Sequence, residues 1–347
     1  MPHRGGIASG GKHRYAVSSD EAGIMTSGLP FDDFRALAGR PPPPDASAAD
    51  QVRADLAPEA LGRITDIAAW FAAATGHVPA RVAKPVVALF AGTHAVSRRL
   101  GGGDIGTLQA RIEAIAAGAA PISSLCASGN LGLNVFDLAL EIPVEDITQA
   151  PALDERAAAA TMAFGMEVLT TGADLLCLGT VDGSGDVSAL ALLSALGSGK
   201  QEGWEDAGEA GRAIIAEALS VHANHLRDPL EAMRRLGGRE IAAIAGAILA
   251  ARTQKVAVIL DGLSATAAAA VLHALEPAAL SHCLLAGVTS PSHRRAAARI
   301  GLEPVLDFGI PGIGAALAAE LVKAAGEISA GAAEARLRQT SGLSART

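Results

Sequence analysis

Aromatic residues are scarce in this 347-residue chain, which has one Tyr, two Trp and seven Phe. Proteins that hold single-stranded nucleic acid stack bases on aromatic rings and follow the backbone with Lys and Arg. With a formal charge of −8 and no basic cluster, the chain lacks both parts of that footprint, and no nucleic-acid partner is expected. Long apolar runs are missing too. None reaches the roughly 18 to 20 residues that a bilayer requires, and stretches such as Ile241 to Ala251 have the length of buried helices. This argues against a membrane partner. Only three cysteines occur, Cys126, Cys177 and Cys283. No metal-ligand spacing connects them, and each lies in an apolar run that reads as a strand, so buried free thiols in a reducing cytoplasm are expected. Met1 to Ile24 is polar, without the apolar stretch of a secretory signal, and reads as a disordered leader.

Half of the residues are hydrophobic, enough for one large α/β domain with a smaller companion. The four prolines within Arg40 to Pro44 form a stiff spacer. After it, Ala60 to Ala74 repeats its apolar residues at helical spacing. From Pro85 the pattern alternates. Expected strands are Val86 to Phe90, Ser124 to Ala127, Leu133 to Leu138, Leu175 to Leu178, Val256 to Leu260, Cys283 to Val288 and Pro304 to Phe308. Expected helices are Leu108 to Ala117, Glu155 to Thr171, Ala210 to His225, Arg239 to Ala251, Ala265 to Leu275 and Ile313 to Ala325. Such alternation predicts an α/β fold with a doubly wound, mostly parallel sheet, and such sheets bind ligands at the carboxyl ends of their strands.

Glycine, unlike aromatics, is abundant, and it gathers at that edge. The run Leu175 to Leu178 passes into Gly179-Thr180-Val181-Asp182-Gly183-Ser184-Gly185-Asp186 and then a small-residue helix. Its three glycines offer backbone angles closed to other residues and N–H groups that could face an anion. Gly92-Thr93-His94, Asp261-Gly262 and Gly309 to Gly314 follow three other strands in the same way. Any one of these loops could be only a turn, but several at one edge are what a phosphate and ribose pocket needs. His94 either lines that pocket or caps its strand. His222 and His225 lie one turn apart without a third ligand nearby, and read as a solvated helix face rather than a metal site.

The runs Val135 to Glu141, Ala160 to Glu167, Asp228 to Ile241 and Asp261-Gly262 resemble the nicotinate-nucleotide:dimethylbenzimidazole phosphoribosyltransferase family over about Leu29 to Ala325. The resemblance implies a Rossmann-like sheet, a small helical domain built from both chain ends, and a homodimer. The corresponding division is a leader at 1–24, small-domain parts at 25–84 and 311–347, and a nucleotide-binding domain at 85–310. It also implies phosphoribosyl transfer from nicotinate mononucleotide to dimethylbenzimidazole, with a nucleotide and an aromatic base as small-molecule partners and no cofactor or metal. Gln109, within Thr107-Leu108-Gln109, matches a family T-x-Q near the base. Asp261 matches a pocket position, although a helix N-cap role is open to it as well.

The chain departs from the family in its ligand loops. The family's C-terminal G-x-R-L-G-E-G-T-G-A-A, whose Glu is the general base, is here Gly309-Ile310-Pro311-Gly312-Ile313-Gly314-Ala315-Ala316. Its G-E-M-G-I-G-N-T-T becomes Gly179 to Val187, which sets Asp186 where a phosphate is expected. The motifs at Ala57 to Thr65 and Gly287 to His293 lack a Lys and a Glu respectively. Binding residues implied by the match are Gln109, Gly179, Thr180, Gly183, Ser184, Gly185, Asp186, Asp261, Gly262, Gly312 and Gly314, with Asp182 as the substitute base. Three readings follow: a transferase with weak turnover that uses Asp182, an enzyme of altered substrate, or a catalytically dead protein that binds a nucleotide or benzimidazole-like ligand as a regulator.

Overall fold

The computed structural model describes residues 29–102, 104–197, 204–310 and 312–340; the leader expected at 1–24 lies outside them. Five strands form one sheet, β1 (Pro85–Ala91), β2 (Gly132–Asp137), β3 (Leu175–Thr180), β4 (Ala257–Leu260) and β5 (Cys283–Leu285). All neighbours are parallel, in the order β2-β1-β3-β4-β5. The order reverses direction between β1 and β3. In an open parallel sheet this is the switch point where the carboxyl edge opens into a crevice.

Thirteen α-helices are described: α1 (Asp32–Ala38), α2 (Ala46–Leu56), α3 (Arg63–Thr75), α4 (Ile105–Ala116), α5 (Pro121–Ser128), α6 (Glu155–Met166), α7 (Asp186–Leu196), α8 (Gly208–His222), α9 (Pro229–Leu236), α10 (Arg239–Thr253), α11 (Gly262–Leu275), α12 (Pro291–Arg299) and α13 (Gly314–Thr340). Several begin where the sequence supplies an N-cap. Asp45, Asp104, Asp154 and Asp228 each accept a hydrogen bond from a first-turn N–H of α2, α4, α6 and α9. Such a cap stabilises a helix by about 1 kcal/mol. No described helix is long and apolar enough to cross a membrane.

Strand alternation divides the core in two. Ala88, Phe90, Leu176, Leu178, Val258 and Leu260 point to one face, where α6, α7, α9, α10 and α11 cover them. Val87, Leu89, Leu175, Cys177, Ala257 and Ile259 point to the other, under α2, α3 and α13. Helices from the two chain ends thus share a layer, and α13 packs on α2 and α3. On the first face α6 and α10 touch backbone to backbone. A Cβ at Gly165 would strike the carbonyl of Ala243, and one at Gly246 that of Met162. Two glycines, placed reciprocally, are what permits that approach.

Two of the expected strands are corrected. Ser124 to Ala127 lies inside α5, where Pro121 occupies the first turn and Ile122 and Cys126, four apart, are buried on one side. Pro at the first helical position is preorganised for a helix. Pro304 to Phe308 makes only an isolated bridge, Leu285 to Pro304. Cys126 is therefore helical, while all three thiols are free and buried, as expected. His222 is also corrected: it is buried, and its Nε2 lies 2.9 Å from the carbonyl oxygen of Ile147, so it faces the core.

Candidate active site

Two adjoining cavities open at the carboxyl edge. The first, about 420 Å³, is walled by Leu89 of β1, the β3–α7 loop, Arg111 and Ile115 of α4, Ile122 of α5, Asp261 to Leu263, and Gly312 and Ile313 before α13. The second, about 450 Å³, is lined by Ser97, Ser184, Asp206, Thr289 and Ser290 together with apolar residues of α7. Gly183, Asp186, Leu263 and Thr289 belong to both. Among the described residues, the first joins an apolar wall to three carboxylates and one basic side chain, and the second carries four hydroxyls and two carboxylates. Both have the size of small-ligand sites.

The loop of residues 179–186 forms the boundary. Thr180 Oγ1 donates to the Asp182 carbonyl oxygen, Ser184 N–H donates to Asp182 Oδ1 at 3.0 Å, and Asp186 N–H donates to the Gly183 carbonyl oxygen. Two N–H groups expected to face an anion are therefore engaged within the loop. None of Gly179, Gly183 and Gly185 has a positive φ, in contrast to Gly262 (+88°) and Gly312 (+81°). What the loop glycines provide is space. A Cβ on Gly183 would meet Asp186 Oδ2 at 2.8 Å, and one on Gly185 would meet Glu240 Oε1 at 2.5 Å and His94 Nε2 at 3.0 Å.

His94 and Glu240 form an ion pair under this loop, 2.9 Å apart with side chains 0% and 4% exposed. Burial alone would drive both toward their neutral forms. Their mutual attraction prevails, so that Glu240 holds the His94 pKa above its usual value and His94 holds that of Glu240 below it. His94 Nδ1 also meets Ser188 Oγ at 3.2 Å. Among the described residues Glu240 Oε2 is buried without a hydrogen-bond partner, and hypothetical Cβ atoms on Gly92 and Gly238 would both run into it. Three loops thus keep glycine around one carboxylate.

Asp186 stands above that pair. Burial, with Asp182 and Glu240 adding repulsion and His94 opposing them, pushes its carboxyl up to about 6. Asp261 also rises to about 6, chiefly through burial. Its Oδ2 accepts the Ala315 N–H at 2.9 Å. It precedes α11 without a side-chain cap bond there and caps α13 instead. Asp206 plays the same part for α12, accepting the Ser292 N–H at 2.8 Å. Carboxylates of the protein thus occupy helix N-termini at this edge, positions that favour negative charge.

Of the residues read from the sequence, Thr180, Asp182, Gly183, Asp186, Asp261, Gly262 and Gly312 line the first cavity, and Ser184 lines the second. Gly179, Gly185 and Gly314 lie behind the walls. A Cβ on Gly314 would press on Asp261, one on Gly179 would make ordinary contact with the same side chain, and Gly185 covers Glu240. Gln109 is half-buried on α4 and is not part of either lining. Arg111 and Ile115, four residues apart, form the α4 face that the first cavity sees, and Gln109, two residues from Arg111, points to another side. Arg111, Glu240 and the pairing of His94 were not evident from the sequence, because their partners lie 70 residues or more away.

The two chambers meet at the carboxyl edge of the parallel sheet, and a phosphoribosyltransferase family model matches residues 42–336. The nicotinate-nucleotide–dimethylbenzimidazole phosphoribosyltransferase of Sinorhizobium medicae is 50% identical over 328 residues, 89% of this chain and 97% of the relative. That of Brucella anthropi is 47% identical over 320 residues, 87% and 94% of the two chains. The crystal structure of the same-named protein from Thermus thermophilus superposes with a TM-score of 0.73 at 25% identity, covering 82% of this chain and 96% of that one. The chain belongs to the nicotinate-nucleotide–dimethylbenzimidazole phosphoribosyltransferase family.

Proposed function

We propose that this protein transfers the 5-phosphoribosyl group of nicotinate mononucleotide to 5,6-dimethylbenzimidazole, giving α-ribazole 5′-phosphate and nicotinate. The observation that carries this reading is the pair of cavities meeting at Gly183 and Asp186. The apolar wall of the first chamber, formed by Leu89, Ile115, Ile122, Val181 and Leu263, suits a flat dimethylated base. The second, with Ser97, Ser184, Thr289 and Ser290 beside the carboxylates of Asp186 and Asp206, suits the hydroxyl-bearing ribose of the donor. Arg111 is the one basic side chain described in either lining; it stands in the first chamber, where its guanidinium donates to the Val181 carbonyl oxygen.

The leaving group is a pyridinium nitrogen that departs as neutral pyridine, so bond cleavage needs no proton. The protein's tasks are to bring an acceptor nitrogen within reach of the anomeric carbon and to remove one proton from the product. We infer a homodimer from the family resemblance and a cytoplasmic setting from the three free, buried thiols. Incubating the purified protein with both substrates and following nicotinate by chromatography tests the reading. Release that requires dimethylbenzimidazole is expected.

A further inference from the structure

Five carboxylates gather at the cleft, and all but one are already committed. Asp182 accepts the Ser184 N–H, Asp206 the Ser292 N–H and Asp261 the Ala315 N–H. Glu240 is closed off beneath the loop in its pair with His94. Asp186 is different. Among the described residues no hydrogen bond from the protein reaches its side chain, and it alone of the five lines both cavities and stays out of the buried pair.

Resting on the phosphoribosyl-transfer reading, we propose that Asp186 is the general base of this protein, taking the N–H proton of the benzimidazole at the junction of the two chambers. The uncharged acceptor has one N–H and one nitrogen with a free lone pair. That lone pair forms the bond to the anomeric carbon as the bond to the pyridinium nitrogen breaks, and the electrons of the broken bond stay on nicotinate. The product would be a benzimidazolium, and its remaining N–H proton passes to Asp186. The carboxyl then returns the proton to water.

The geometry favours this assignment over Asp182. A carboxylate that already accepts a backbone N–H gives up part of its basicity, whereas Asp186 keeps its lone pairs for a ligand. The charged groups facing it are Asp182 and Glu240, which make it more basic, and His94, which partly offsets them. With burial these bring it to about 6, close to the value at which a base is both ionised and effective near neutral pH. Gly183, whose Cβ would press on Asp186 Oδ2, leaves the side chain room at the boundary.

The test compares the wild type with Asp186→Asn and Asp186→Ala by nicotinate release between pH 5 and 8. Asp186→Asn should lower kcat by about 10²- to 10⁴-fold at pH 8, the usual worth of a positioned base, with KM for both substrates changed only a few-fold. Ionisations of the substrates are common to both proteins, so the ratio of wild-type to variant kcat isolates the enzyme group. That ratio should fall as pH drops through about 6. Formate should restore turnover to Asp186→Ala by entering the vacated space, a rescue that a structural role would not produce. An Asp186→Asn protein with wild-type kcat, a ratio independent of pH, or a folded Asp186→Ala protein without rescue would overturn the assignment. A folded wild type that binds dimethylbenzimidazole but releases no nicotinate would instead overturn the transfer reading, and this assignment with it.

Discussion

Replacing Asp261 with Asn should stabilise the protein, and by an amount that depends on pH. The carboxyl is buried at the end of β4, and burial raises it from 3.8 to about 6 even though it accepts the Ala315 N–H. Because its folded pKa is raised, the fold holds a proton that the unfolded chain releases between those values. Stability therefore falls as pH rises from about 4 to 6, and the cost is complete above 6. Two pKa units correspond to about 3 kcal/mol at pH 8, and the same arithmetic leaves about 1 kcal/mol at pH 4.5. Asn keeps an oxygen for the Ala315 N–H and carries no charge. Urea midpoints of the two proteins should therefore differ most at pH 8, with the variant more stable, and converge toward pH 4.5. A variant less stable at pH 8, or a difference equal at both pH values, would show that Asp261 is not held against its ionised form.

Two further substitutions probe the scaffold. Gly246→Ala places a methyl group against the Met162 carbonyl where α6 and α10 meet. Although Ala favours an exposed helix by about 1 kcal/mol, overpacking here should lower stability by about 1 to 3 kcal/mol, and an unchanged melting midpoint would mean that the helices can separate without cost. Glu240→Gln leaves buried His94 without its counter-charge. Losing one partner of a buried pair costs about 3 to 5 kcal/mol, with the retained amide hydrogen bond placing this case at the lower end. Stabilisation from the raised His94 is present below its unfolded pKa and fades as pH rises through its folded one, while that from the lowered Glu240 fades as pH falls. The pair thus contributes most at intermediate pH. Imidazole NMR titration should show the His94 pKa falling in the variant, and an unaltered titration would deny the pairing.

Much of the fold was legible from the sequence because it is written locally. Continuous apolar runs such as Leu175 to Leu178, between helical periodicities, identify a parallel sheet, and β1, β2, β3 and β4 fall within a residue or two of their expected bounds. Ser124 to Ala127 is helical rather than extended because four apolar or small residues fit a strand and a buried helix equally well, and Pro121 at the first turn decides for the helix. The site was legible as a set of loops but not as geometry. The glycines of residues 179–186 suggested left-handed backbone and open N–H groups, while they make room for Asp186 and Glu240. That function depends on Glu240, more than 50 residues farther along the chain. The β1–α4 side was similar: T-x-Q drew attention to Gln109, whereas the turn of α4 directs Arg111 into the cleft.

The measurement that reaches the central claim most directly is nicotinate release by the purified protein given nicotinate mononucleotide and 5,6-dimethylbenzimidazole, with α-ribazole 5′-phosphate followed in the same chromatogram. The predicted result is equimolar formation of the two products, absent when either substrate is omitted. Folded protein that forms neither product over long incubation at pH 8, where Asp186 is ionised, would contradict it.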